Sequence, residues 1–252
     1  MGKSKKLIIM MEIVAIALLM IAFASGNRKW KQEEASPDRA SQENITPDSE
    51  SEDSIPQDSA IKAMVYMESN GAGGNGSVYK ITEEEVIIVT TYHLLQQEET
   101  LGVRFYDNIY VEGIVMGVNQ EHDVGFVRIP LNEIPEETIE RISCIQRNDS
   151  LYDSLTQGDA VEYHFLSYDG IFVCQESRTG TIGDMNWYVA DFDDYLIYNY
   201  CEVQPGMSGC GAIAEDGSYI GMVIGGYDNE SAALSIQVID KVYQKLENFT
   251  KS

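Results

Sequence analysis

The chain reads as an all-β protein of antiparallel barrels finished by a C-terminal helix, and three observations predict this. After residue 60, twelve short runs rich in β-branched and aromatic residues follow one another, at 63–68, 76–82, 86–90, 102–105, 110–118, 124–129, 160–165, 171–182, 195–201, 211–214, 219–224 and 232–236. Glycine and Asn/Asp turns punctuate them, and that density of short strands suits antiparallel barrels. Only the tail has helical spacing, with Ile239, Val242, Tyr243, Leu246 and Phe249 recurring every three or four residues.

The elements before residue 60 are of another kind. Lys3, Lys5 and Lys6 precede an apolar stretch at 7–24 broken only by Glu12, and Arg28, Lys29 and Lys31 follow it. Its 18 residues sit at the lower edge for a membrane-spanning helix. Ala22-Phe23-Ala24 also fits a small-x-small cleavage site. Residues 1–30 are therefore expected to be a signal anchor, as an apolar helix, or a cleaved signal peptide. In both readings the basic leader stays inside and the remainder is exported. The protein is placed at the cell membrane through residues 7–24 with its folded part extracytoplasmic, or it is secreted. Residues 31–60 are expected to form a disordered acidic linker. Nine acids, one base and three prolines lie within 32–60, too polar a segment to offset its chain entropy by burial.

At 252 residues and 44% hydrophobic content the chain can bury a sizeable core. Its net charge of −24 argues against nucleic acid, whose phosphates it would repel, and favours basic substrates. Cys144, Cys174, Cys201 and Cys210 show no CxxC spacing, so no metal site is expected. Export would permit disulfides among them, with a pairing that spacing does not reveal.

The stretch that carries chemistry is Gln204-Pro205-Gly206-Met207-Ser208-Gly209-Cys210-Gly211. A serine between glycines in a tight loop is a candidate nucleophile, with the Gly206 and Ser208 N–H groups as candidate oxyanion donors. Cys210 beside it reads as a small buried residue. Upstream, His93 follows the apolar run 85–91, and Asp123 opens the strand expected at 124–129. The chain order His93, Asp123, Ser208 is that of the chymotrypsin-type triad, unlike the order in subtilisins or α/β-hydrolases. Of the other two histidines, His122 is expected to face away from Asp123 and lie exposed, and His164 falls inside a strand.

These segments resemble the trypsin-like serine proteases, and among them the HtrA-like bacterial branch. Val89-Thr-Thr-Tyr-His93, His122-Asp-Val-Gly-Phe-Val127, Gln157-Gly-Asp-Ala-Val161 and Pro205-Gly-Met-Ser-Gly-Cys-Gly211 are similar to that branch's motifs, in the same order. Gly71-Ala-Gly-Gly-Asn-Gly-Ser-Val-Tyr79 resembles its opening hairpin and 232–239 its closing strand. The resemblance spans about 61–249. It implies two six-stranded antiparallel barrels of the chymotrypsin type and a terminal helix packed on the second, within a protease domain at 61–252. Only 44 residues follow Ser208, so no PDZ domain is expected. Met207 replaces the usual Asn or Asp, Cys210-Gly211 replaces Gly-Pro, and Gly125 replaces Ala. Met207 leaves the loop's hydrogen bonding open.

The resemblance also implies substrate-binding positions. Glu202, six residues before Ser208, would lie at the base of the primary specificity pocket and pair with Lys or Arg, or else point to solvent. Gly225 and Gly226 would form the pocket wall and leave its entrance open. The expected activity is hydrolysis of protein or peptide substrates by an exported serine endopeptidase using His93, Asp123 and Ser208, without cofactor or metal. A base must be unprotonated to accept the serine proton, so hydrolysis should fall in acid. The alternatives are a pseudoprotease serving as a protein-binding module and an unrelated all-β adhesion domain.

Overall fold

Alternate residues of the most apolar strands feed two different cores, and this organises the molecule. The computed structural model describes residues 57–69, 71–96 and 98–250. In β3 (Glu85–Thr91), Val86 and Ile88 point into the interior of a first barrel, whereas Ile87 and Val89 join a second cluster outside it. In β6 (Val124–Pro130), Val127 and Ile129 take the inside and Val124 and Phe126 the outside. A strand buried on both faces loses its polar alternation, which is why β3 reads as continuously apolar over 86–89, whereas β6 still carries the exposed Arg128. Each fully buried Val or Ile contributes about 1.5–3 kcal/mol relative to an exposed one.

The first barrel is closed in the order β1-β2-β3-β6-β5-β4, with β1 Met64–Ser69, β2 Ala72–Ile81, β4 Thr100–Phe105 and β5 Tyr110–Asn119. The second is closed as β10-β11-β12-β9-β8-β7, with β7 Ala160–Tyr168, β8 Val173–Val189, β9 Asp194–Tyr200, β10 Gly211–Ala214, β11 Tyr219–Tyr227 and β12 Glu230–Ser235. All pairings are antiparallel. The two six-stranded barrels implied by the sequence are thus present, and every expected run overlaps one strand.

The cluster outside the first barrel is the seam between the two, where Phe126 and Val89 meet Leu166, Met222 and Leu234 of the second. Helix α1 (Gln57–Lys62) crosses the expected boundary at residue 61, because Ala60 is buried in the seam. Short helices α2 (Tyr92–Leu95), α3 (Glu136–Ile139) and α4 (Asp149–Tyr152) occupy connections.

The terminal helix α5 (Ile236–Thr250) differs from expectation in its contacts. Rather than resting on the second barrel alone, it seals the seam. Tyr243 stacks with Phe126 and Tyr79 of the first barrel at 5.2 and 4.8 Å, and Leu246 fills the space above Gly117. Arg147 makes a bidentate pair with Asp240, whose Oδ1 also accepts a 2.9 Å bond from the Tyr79 hydroxyl. No helix among the described residues is long and apolar enough to cross a membrane, and the stretch 7–24 and the segment 31–56 lie outside them.

Candidate active site

His93 stands on α2, the single turn that follows β3, and is exposed. Two bonds to one carboxylate fix it. The His93 backbone N–H donates to Asp123 Oδ1 at 2.9 Å, and its Nδ1 lies 2.7 Å from Asp123 Oδ2. With Nδ1 donating to the carboxylate, Nε2 carries the lone pair. Its nearest polar contact is a long one, 3.5 Å to Thr91 Oγ1.

Asp123 takes a left-handed conformation, φ +48°, in the turn entering β6, and Asp is among the few residues that tolerate it. Its carbonyl also accepts from Tyr92 N–H at 3.1 Å, so the turn is tied to α2 by backbone and side chain together. His122, expected to be exposed, is half-buried and pairs through Nδ1 with Asp194 at 2.7 Å. That partner lies 72 residues away on the second barrel. His122 is therefore committed to an inter-barrel contact.

Ser208 comes from the other barrel, on the loop between β9 and β10. Gly206 and Gly209 bracket it at φ +96° and +89°, a conformation that favours glycine. Gly209 is needed for space as well, because a Cβ there would lie 1.9 Å from the Asn75 carbonyl oxygen. Met207 is buried in the second barrel's core, where its sulfur accepts from Gln204 N–H at 3.3 Å while its own N–H donates to Gln204 O at 3.2 Å. The thioether thus supplies the local bond that its substitution had left open.

Asn75 seats this loop, a role that sequence reasoning missed. It is fully buried on β2 and spends all its polar atoms. Its N–H donates to Ser208 O at 2.8 Å, and its Nδ2 donates to Gly206 O at 2.8 Å and Leu166 O at 3.1 Å. Its Oδ1 accepts from Leu166 N–H at 2.7 Å, and its carbonyl accepts from Thr90 Oγ1 at 2.6 Å. One amide therefore joins the loop to both barrels. The detectable signal was an amide flanked by glycines inside a strand, at 73–76.

The loop lies against the end of the first barrel that carries His93. A Cβ on Gly74 would meet Leu94 Cδ2 at 2.8 Å and Ser208 O at 3.3 Å, so only Gly74 separates the residue after His93 from the serine backbone. No hydrogen bond joins the Ser208 hydroxyl to His93 among the described residues, and such bonds commonly tighten only when substrate is bound. The Gly206 and Ser208 N–H groups have no acceptor among the described residues, as an oxyanion site requires.

Of the remaining sequence candidates, Glu202 lies on the same loop and Gly225 and Gly226 lie on β11. Glu202 is exposed, and its neighbour Val203 makes the contact with Gly226. Gly225 and Gly226 leave no space for a side chain of their own. A Cβ on Gly225 would stand 2.9 Å from the Phe192 ring, and one on Gly226 would stand 2.4 Å from the Glu230 carbonyl oxygen. A cavity of about 300 Å³ borders Gly206, with Tyr66, Tyr168 and Gln204 in its lining.

The four cysteines are free thiols. Cys210 is fully buried, and burial pushes its thiol well above the ordinary value; burial also raises Cys201 to about 11. A thiol held protonated is a poor nucleophile. Alkylation of the native protein should mark exposed Cys174, spare Cys210 and leave hydrolysis intact. Loss of activity in step with Cys210 modification would instead make the thiol the reacting group.

Residues 74–222 match the family described as the trypsin-like peptidase domain. The chain belongs to that family. The match contains His93, Asp123, Ser208 and Asn75, and stops short of Gly225, Gly226 and α5. No curated protein matches the chain. Membership of a peptidase family gives this protein a protease-type function and protein or peptide substrates.

Proposed function

We propose that the protein is a serine endopeptidase working through His93, Asp123 and Ser208. The observation that carries this reading is the doubly bonded His93–Asp123 pair, beside a serine loop seated by Asn75. Neutral His93 accepts the Ser208 proton through Nε2 as Oγ attacks the peptide carbonyl. Asp123 holds the imidazole in that tautomer and stabilises the cation that forms. The Gly206 and Ser208 N–H groups bind the oxyanion. Protonated His93 then releases the amine, and water activated by His93 hydrolyses the acyl-enzyme.

The edge of β11 gives the substrate its track. Gly209 N–H donates to Val223 O and Val223 N–H to Cys210 O, so β11 leaves directly from the nucleophile loop. Strand β10 pairs with β11 only as far as Met222, and the same edge at 224–227 has no strand partner among the described residues. An extended peptide can add to it as a further strand. Glu202 acts as an exposed rim charge on basic substrates, affecting association more than bound-state affinity.

The reading includes the HtrA-like branch and export, supported by the order of the motifs and by the basic leader before 7–24. The test is cleavage of a peptide library by the full chain, with Ser208→Ala as control. Cleavage that disappears in the variant is expected. A library left intact by the wild type, or cut equally by both proteins, would reject the reading.

A further inference from the structure

Beside Gly226, away from the nucleophile loop, lies a cavity of about 240 Å³ whose lining includes Phe192, Tyr198, Tyr227, Asp191 and Glu230. Two of its rings are held in place. Phe192 lies against Gly225, where only the absence of a Cβ lets the ring approach. Tyr198 is flanked by Trp187 and Tyr200, with centroids at 6.1 and 5.4 Å. Burial first, and the neighbouring Glu230 carboxylate second, push its phenol up to about 12.

Ring faces combined with carboxylates attract a cation, through the ring quadrupole and through direct charge. The protein fills one such arrangement with its own residue, holding Arg104 over the rings of Tyr110 and Tyr168 at 4.7 and 4.5 Å. Here the cation is missing. Among the described residues no Lys or Arg lies over Phe192, Tyr198 or Tyr227, and neither Asp191 nor Glu230 has an ion-pair partner. The surrounding field has a single sign, since residues 179–240 contain ten Asp and Glu and no Lys, Arg or His.

The position of the cavity relates it to the substrate track. Gly226 is three residues beyond Val223, which is bonded to the nucleophile loop, so it lies roughly 10 Å along the strand at the usual rise per residue. A peptide antiparallel to β11 runs toward Ser208, and the residues it lays beside Gly226 precede the scissile bond. We propose that this aromatic and acidic box binds the side chain of a substrate Lys or Arg at the third or fourth position before the bond cleaved. The proposal rests on the serine-peptidase reading for the direction and placement of the peptide.

The test uses the full chain and peptides carrying Lys or norleucine at each of the four positions before one cleavage site. Lys at the third or fourth position should raise kcat/KM about tenfold, chiefly through KM, with the advantage shrinking at high salt. Glu230→Gln and Tyr227→Leu should each bring the Lys-to-norleucine ratio toward one. Equal rates for both residues at those two positions, or a ratio unmoved by both variants, would overturn the proposal while leaving the peptidase reading standing. Should no peptide be cleaved, the peptidase reading fails, and binding of the same fluorescent peptides to the Ser208→Ala chain decides the box alone. A Kd about tenfold lower for the Lys peptide supports it, and equal Kd values reject it.

Discussion

Replacing Ser208 with alanine is expected to lower peptide hydrolysis by a factor on the order of 10⁴ or more while leaving the melting temperature almost unchanged. The hydroxyl makes no hydrogen bond among the described residues, so folding loses little with it. Chemistry loses the attacking atom. His93→Ala should fall by a similar factor, because nucleophile and base act as one unit and the second loss adds little to the first. Steady-state rates on one peptide, with thermal unfolding of each variant, check both halves. A Ser208→Ala protein retaining a tenth of wild-type activity would remove the serine from the mechanism.

Asn75→Ala is expected to have the second largest effect, and it should show in stability and rate together. The substitution strips the side-chain bonds to Gly206 O, Leu166 O and Leu166 N–H, all within or bordering a buried seam. Each buried group left without a partner costs about 1–3 kcal/mol, a large share of a domain's net stability. The rate should suffer because the Gly206 carbonyl belongs to the peptide plane preceding Met207, inside the turn that presents Ser208. Misplacement of a reacting group by about 1 Å can cost on the order of 10²-fold, and a drop of that size in kcat with a smaller change in KM is expected. Asn75→Asp keeps the acceptor to Leu166 N–H and loses the donors to Gly206 and Leu166, so its kcat should fall as well. A variant that melts earlier yet turns over at the wild-type rate would make Asn75 purely structural.

Much of this architecture was legible because burial leaves a mark on residue type. Strands β3 and β6 serve two cores at once, so Val, Ile and Phe dominate their runs despite Gly125 and Arg128 in β6, and their ends fall close to where the sequence places them. The far half of β8 left no such mark. From Asp184 to Val189 it is exposed or half-buried, with a shift in its pairing to β9, and no apolar periodicity extends the expected run beyond 182. The candidate triad was readable from strand context and chain order, whereas its supports were not. Asn75 acts on Gly206 from 131 residues away, His122 meets Asp194 only because two barrels adjoin, and Phe192 reaches Gly225 from a turn. Such contacts are set by closure of the fold, and no local spacing encodes them. The terminal helix shows the same limit: its apolar stripe was visible, but not that both barrels would share it.

The central claim is that the protein uses Ser208 as an activated nucleophile, and a fluorophosphonate probe tests this most directly. Incubated with the full chain at neutral pH and digested for mass spectrometry, the probe should form a single adduct on the peptide containing Ser208. Labelling should be lost in Ser208→Ala and strongly slowed in His93→Ala. Absence of an adduct on the folded wild-type protein, or an adduct on another residue that persists in Ser208→Ala, would contradict the account.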